Sequence, residues 1–434
     1  MTQQSKPLMT FDETRRRMAE GAQWLPGGAS SDYRLGPGAL MVDRADGALL
    51  WDVDGNRLID YYCGAGPIIL GHNPAPVVEA VTRQVARGVQ LGAESAQEYA
   101  AAKLVTELVP SAEMVRFANT GSEAVQLAWR IARGATGKDV VVKFEGHYHG
   151  WLDSVFVGLP GRPNIPGAGA AVGRQRLSSA GQDPAAIEHT EVLPWNDLAA
   201  VDARLARGDV AAVITEPLWR GYIASQPGYL AGLREVTRRH DVVLIFDEVV
   251  SGFRAGPGGA QAMFGVLPDL SVFAKAMANG FVIGAVAGRR DLMSLIGGGP
   301  VVHPGTYNGN VLSMTAAVAT LTMLADGGPH ERIERAGGRL MAGFGDILAR
   351  GGVKASVQGI PGSFNVHIGI DKPVASLADT MTVDSERSMA LTLALMQRGV
   401  RPIPGGHWYV CAAHTDELVD ETLNAFEDAL AVIA

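Results

Sequence analysis

A handful of short stretches carry residue types that could do chemistry together. Lys275 sits in SVFAKAMANGF, where its neighbours are apolar or small. Partial desolvation lowers a lysine pKa, and the neutral amine is the form that condenses with an aldehyde to a Schiff base. The competing reading is a lysine at a strand end that snorkels its ammonium to water. Asp247 closes the apolar run VVLIF. A carboxylate there can pair with the protonated ring nitrogen of a heteroaromatic cofactor and keep the ring cationic, which makes it an electron sink. Apolar residues followed by Asp-Glu also describe the magnesium-binding strand of P-loop ATPases, which needs G-x-x-x-x-G-K-[ST] upstream. The nearest stretch, ARGATGKD (132–139), has Ala132 where the first Gly belongs and Asp139 where Ser or Thr is required, so the ATPase reading fails on its phosphate loop.

Three further stretches support these two residues. Thr120-Gly121-Ser122-Glu123 joins the run MVRFAN to the helical stretch AVQLAWRIARG. Small hydroxyl residues and Gly at a helix start leave backbone N–H groups free for an anion such as a cofactor phosphate. The same residues also describe an ordinary capped helix. His147-Tyr148-His149 offers a metal only two ligands, at i and i+2. Tyr148 reads better as a flat ring stacked on a heteroaromatic cofactor, or as a loop aromatic packed on the core. Glu216, between AAVIT and Pro217, either hydrogen-bonds near a cofactor ring or forms an ion pair.

All of these residues follow short apolar runs: MVRFAN (114–119), VVVKF (140–144), AAVITEP (211–217), VVLIFDE (242–248), LSVFAK (270–275) and AVAG (285–288). Separated by helical segments and bounded by turn residues, such runs predict buried strands of a mostly parallel sheet, with ligands at its carboxyl edge. Upstream, 11–24 predicts an amphipathic helix, and 25–31 (LPGGASS) a turn-rich link. The alternation over 39–60, around turn signals at 45–47 and 54–56, predicts a small antiparallel sheet. After about residue 325, helices and the strand-like pieces SFNVHIGI (363–370) and WYVCAAH (408–414) predict a second, smaller lobe. The expected division is 1–70 joining the small lobe, 71–325 the large domain, and 326–434 the C-terminal small domain. The 434 residues are 47% hydrophobic, more than a single small core usually holds. Charged residues are 19% and Gly numbers 54, which suits close-packed α/β elements.

A net charge of −8 argues against a nucleic-acid binder. Two cysteines, Cys63 and Cys411, make no disulfide framework, so a reducing cytoplasmic location is expected. No apolar leader and no apolar stretch of about 20 residues is present, so no membrane association is expected.

The order of these stretches resembles the class III (ω-type) aminotransferases that use pyridoxal 5′-phosphate (PLP), and within them the glutamate-1-semialdehyde aminomutase branch. LPGGASSDYR (25–34) and GALLWDVDGNRLIDYYCGAGPIILGHNP (47–74) are similar to the aminomutase entry segment. NTGSEA (119–124), GHYHG (146–150), EP (216–217), FDEVVSGFR (246–254), FAK (273–275), GTYNGNVLSM (305–314) and CAAHTDE (411–417) follow in the family's order. The resemblance implies the PLP-dependent transferase fold type I: α/β, a large domain with a mostly parallel sheet plus a smaller α+β lobe. It implies Lys275 as the Schiff-base lysine and proton carrier, and Asp247 as partner of the ring nitrogen. Gly121, Ser122 and a second subunit's Thr306 would hold the phosphate, Tyr148 would stack on the ring, and Glu216 would fix its hydroxyl side. Arg34 aligns with the arginine that binds substrate carboxylate. A homodimer with two shared sites follows from the role of Thr306.

The sequence departs from that branch where substrate choice would be made. Leu218-Trp219-Arg220-Gly221 follows Glu216-Pro217 where small or amide residues are usual, so Trp219 and Arg220 should narrow and charge the pocket, with Arg220 meeting a carboxylate. The segments 403–408 (IPGGHW) and 155–190 also differ. The expected reaction is therefore transamination from an amino-acid donor to an oxo-acid or aldehyde acceptor. A 2,1-aminomutase-type isomerase is the alternative, and a Cα epimerase would use the same lysine. A non-catalytic protein of this fold is the reading from outside enzymology, and the presence of Lys275 speaks against it.

Overall fold

A computed structural model of the chain describes residues 7–159, 171–172 and 175–433. The chain divides into two compact units, Pro76–Gly328 with Ala375–Thr380, and Met1–Ala75 with Pro329–Val374 and Met381–Ala434.

The first unit is built on a seven-stranded sheet. Its strands are β1 (Met114–Ala118), β2 (Val140–Phe144), β3 (Thr190–Leu193), β4 (Val210–Thr215), β5 (Val243–Asp247), β6 (Leu270–Phe273) and β7 (Gly284–Gly288), in the spatial order β1-β7-β6-β5-β4-β2-β3. Only β7 runs against the others, pairing antiparallel with both β6 and β1. Every residue of β4, β5, β6 and β7 is buried, which is why these strands read as unbroken apolar runs. Edge strand β3 (TEVL) was not among the expected runs. It is only half-buried, and an edge tolerates Glu191, whose carboxylate pairs with Arg204. Helix α1 (Gly121–Thr136) opens with a reciprocal capping box between Thr120 and Glu123 and buries Trp129, Leu127 and Ile131 in the core under the sheet. It ends at Gly137, whose φ of 66° is the left-handed conformation that suits glycine.

The second unit holds two smaller sheets. Val42–Asp46, Leu49–Asp52 and Arg57–Asp60 form the expected antiparallel meander, joined by Val400–Arg401 parallel to the third strand. Asp52 shapes the second turn by accepting the N–H groups of Asp54 and Asn56. Ala355–Ile360, Ser363–Ile368 and His407–Tyr409 make the other sheet. Phe344 and Phe426, from two long helices, stack at 4.0 Å beside Trp408 and Phe364 of that sheet. The helix expected over 11–24 spans Asp12–Gly21. Cys63 and Cys411, distant in sequence, come together here as buried thiols not joined in a disulfide. Among the described residues no single helix is long and apolar enough to cross a membrane.

Candidate active site

Four neighbouring strands, β6, β5, β4 and β2, point the same way, and each delivers one ionisable residue at its carboxyl end. Lys275 follows β6, Asp247 is the last residue of β5, Glu216 directly follows β4, and Lys143 is next to last in β2. The topology thus lays an ammonium, two carboxylates and a second ammonium side by side. Lys275 has a φ of 42°, a left-handed backbone rare for a side chain of this size. Burial pulls its ammonium down to about 8, against the pull of Glu216 and Asp247 and with the help of Arg254. A useful fraction is then the neutral amine near pH 7.

Asp247 is buried. Its Oδ1 accepts the N–H of Val249 at 3.0 Å and its Oδ2 lies 2.7 Å from Nδ1 of His149. Burial raises the carboxyl to about 7, opposed by the Val249 N–H, Lys275 and Lys143. His149 is itself fully buried, and burial together with Lys143 holds it well below the ordinary histidine value. It is therefore neutral. With Asp247 ionised, Nδ1 carries the ring proton and Nε2 is a bare acceptor with no partner among the described residues.

Glu216 is gripped by two backbone donors, Tyr148 N–H to Oε1 and Arg220 N–H to Oε2, both at 2.8 Å. Burial, then the charge of Asp247, raises its carboxyl to about 7. The grip fixes the loop carrying Tyr148, whose ring stays partly exposed. Arg220, with a φ of 55°, turns the hairpin between Leu218–Trp219 and Ile223–Ala224, and its guanidinium lies 5.2 Å from the Trp219 ring. Trp219 corrects the expectation that it narrows the pocket. Its ring is wholly buried, stacked on His147 at 5.5 Å, with its N–H donated to the carbonyl of Gly146 at 3.0 Å. Only Arg220 of this pair can charge the site.

The N-terminus of α1 lies beside these residues. A side chain on Gly150 (φ 101°) would come within 2.5 Å of the Ser122 hydroxyl, and one on Gly121 within 2.9 Å of Val249. The glycines let the backbone of two loops close on the helix start. Among the described residues, the N–H groups of Gly121 and Ser122 have no hydrogen-bond acceptor. Free N–H donors and a helix dipole suit a phosphate, and a buried Asp247 beside a partly neutral Lys275 suits a protonated heteroaromatic aldehyde. The residues present fit pyridoxal phosphate.

Lys275, Asp247, Glu216, Tyr148, Gly121, Ser122 and Arg220 are thus brought together. Thr306 is exposed, with its carbonyl accepting from Gln90. Arg34 belongs to the other unit, at the end of the exposed turn Asp32–Arg34. Residues 160–170 and 173–174 of the divergent 155–190 stretch lie outside the described residues. Sequence reasoning missed Lys143 and the pairing of His149 with Asp247. The first had a signal, a lone charge inside VVVKF; the second had none, because a loop and a strand distant in sequence make the pair.

The family model for aminotransferase class-III matches residues 32–430. Glutamate-1-semialdehyde 2,1-aminomutase 2 of Brevibacillus brevis is 37% identical over 97% of this chain and 99% of its own length. A solved omega-transaminase from Sphaerobacter thermophilus superposes with a TM-score of 0.88 at 32% identity, covering 96% of this chain and 97% of its own. A transaminase solved with PLP bound gives the same TM-score at 29% identity, over 98% of each chain.

Proposed function

We propose, from the premise that this chain belongs to the class III aminotransferases and works with PLP on small molecules, that it passes the amino group of an amino acid to an oxo-acid or aldehyde acceptor. The observation that carries this reading is the row formed by Lys275, Asp247 and Glu216 beside the free N–H groups of α1. Bound there, PLP supplies the aldehyde that captures an amine and the cationic ring that draws electrons from the substrate Cα. Gly121 and Ser122 bind the phosphate, with Thr306 reaching it from a second subunit of a homodimer. Asp247, fixed from behind by His149, holds the proton on the ring nitrogen. Tyr148 covers the ring face, and Glu216 orients the ring's hydroxyl side. Lys275 Nζ binds the cofactor at rest and takes the proton from substrate Cα during turnover. Arg34 and Arg220 receive carboxylate groups.

The test is a half-reaction. The purified PLP form, mixed with single amino acids, should lose the visible absorbance of its lysine-bound cofactor and release one equivalent of oxo acid. The similarity to an aminomutase over nearly the whole chain favours a second reading, intramolecular amino transfer. Turnover of an amino-aldehyde with no second substrate, and no bleaching by any amino acid, would replace transamination by that reaction.

Arg220→Ala should raise KM for a carboxylate-bearing substrate about 10-fold and leave kcat within a few-fold, because a guanidinium–carboxylate pair outside the reacting bonds contributes mainly to binding. The backbone N–H that grips Glu216 survives the substitution. Unchanged KM for both donor and acceptor would remove Arg220 from the site.

A further inference from the structure

Lys143 is fully buried, a position lysine rarely takes unless its charge is compensated. The transamination just described leaves it without a task. Its Nζ donates to the carbonyl oxygens of Val155 at 3.1 Å and Val157 at 2.6 Å. Those carbonyls lie on the chain's return from the 146–150 loop, which carries Tyr148 and His149 on its outgoing leg. Both hydrogen-bond acceptors are neutral, so the charge is answered elsewhere. Burial pulls its ammonium down to about 7, and Glu216 and Asp247, on the two strands beyond β2, are the groups that favour it.

We propose that Lys143 is a positioning residue that ties down the loop bearing Tyr148 and His149 and stands as a counter-charge to Asp247. This rests on the reading that Asp247 faces the cofactor ring. With all four groups ionised, two ammoniums balance two carboxylates. Lys275 gives up its proton to act as an amine, and Lys143 is then the cation of the row left to favour Asp247, while Arg220 also favours Glu216. Without it, two buried carboxylates would have no cation in the row, and at least one would take up a proton. A protonated Asp247 cannot hold a cationic ring nitrogen.

No other neighbour supplies this charge to Asp247. His147 and His149 are buried and kept neutral, each in part by Lys143 itself. Arg220 meets Glu216 through its backbone N–H and favours that carboxylate by its charge, with its guanidinium over Trp219. Arg254 acts on Lys275. On the edge strand, Glu191 is paired with Arg204, and the segment above Lys143 presents the apolar Val155 and Val157.

The test compares Lys143→Gln, which keeps amide donors but no charge, with Lys143→Met, which keeps neither, and Lys143→Arg, which keeps the charge. PLP dissociation constants are measured on cofactor-free protein from pH 6 to 9, with deuterium exchange of 146–157 and thermal melting of the same samples. Gln and Met should both weaken PLP about 10-fold at pH 7, move the pH at which affinity falls upward by about one unit, and approach wild type near pH 9. Only Met should also lose exchange protection in 146–157. A Gln variant with wild-type affinity throughout would overturn the proposal. Should Gln and Met fail to fold, Lys143→Arg decides: it should keep the wild-type pH dependence, and an upward-shifted one would overturn the proposal. Asp247→Asn is the reference. If it leaves PLP affinity unchanged, the site reading fails; if it weakens PLP while the Lys143 variants do not, only the role of Lys143 fails.

Discussion

Lys275→Ala should cut turnover by about 10,000-fold or more while the protein still folds and retains PLP. The backbone at 275 has a φ of 42°, a conformation no harder for alanine than for lysine, so the loss is chemical and not a collapse of the turn. What disappears is the one amine placed between the carboxylate row and the N-terminus of α1. In the proposed site the phosphate and ring-nitrogen contacts come from α1 and Asp247, so cofactor should remain bound without its lysine-linked absorbance. Small primary amines added to the variant should restore part of the rate, since they supply the missing base in solution. The pH sign follows from the same group. Its ammonium is pulled down to about 8, so the neutral fraction grows as pH rises towards 8 and levels above it. Wild-type capture of free PLP should speed up over that interval, and the alanine variant should show no such limb. An alanine variant within 100-fold of wild-type turnover would mean that another group moves the Cα proton.

How much of this was legible in the sequence depends on whether a feature is local. The strands are legible because buried parallel strands are apolar at nearly every position, as in Val243–Asp247 up to its last residue and Val210–Thr215 up to its last. Glu191 interrupts its strand, and an edge strand permits that, so β3 escaped notice. Asp247, Glu216 and Lys275 could be picked out because each ends or directly follows such a run. Their adjacency could not, since the order β6-β5-β4-β2 is a property of pairing and not of chain order. The same holds for Lys143, a charge inside a run that otherwise reads as wall. Trp219 misled for the opposite reason. Its place two residues after Pro217 suggested a pocket wall, but hydrogen bonding of its indole to Gly146 and stacking on His147 turn it into the core.

Asp247→Asn should lower kcat by about 100- to 1,000-fold and weaken PLP by a comparable factor, the range expected when one member of a buried charge pair is neutralised. Asparagine is the informative choice because it keeps the shape. Its carbonyl oxygen can still accept the N–H of Val249, and its amide still fills the space beside His149 Nδ1. What it removes is the charge proposed to keep a proton on the ring nitrogen. The pH dependence separates this loss from general damage. In the cofactor-free protein burial raises the Asp247 carboxyl to about 7, so it takes up a proton as pH falls through that value. Wild-type affinity for PLP should therefore fall below about pH 7 and hold above it. The asparagine variant has no such proton to gain at this position, so its affinity should be low on both sides of pH 7, with the wild-type advantage shrinking in acid. A variant with unchanged melting, near-wild-type kcat and the same acid limb would show that the ring nitrogen is met by some other group. It would also leave the carboxylate row a structural ion network, with His149 its internal strut.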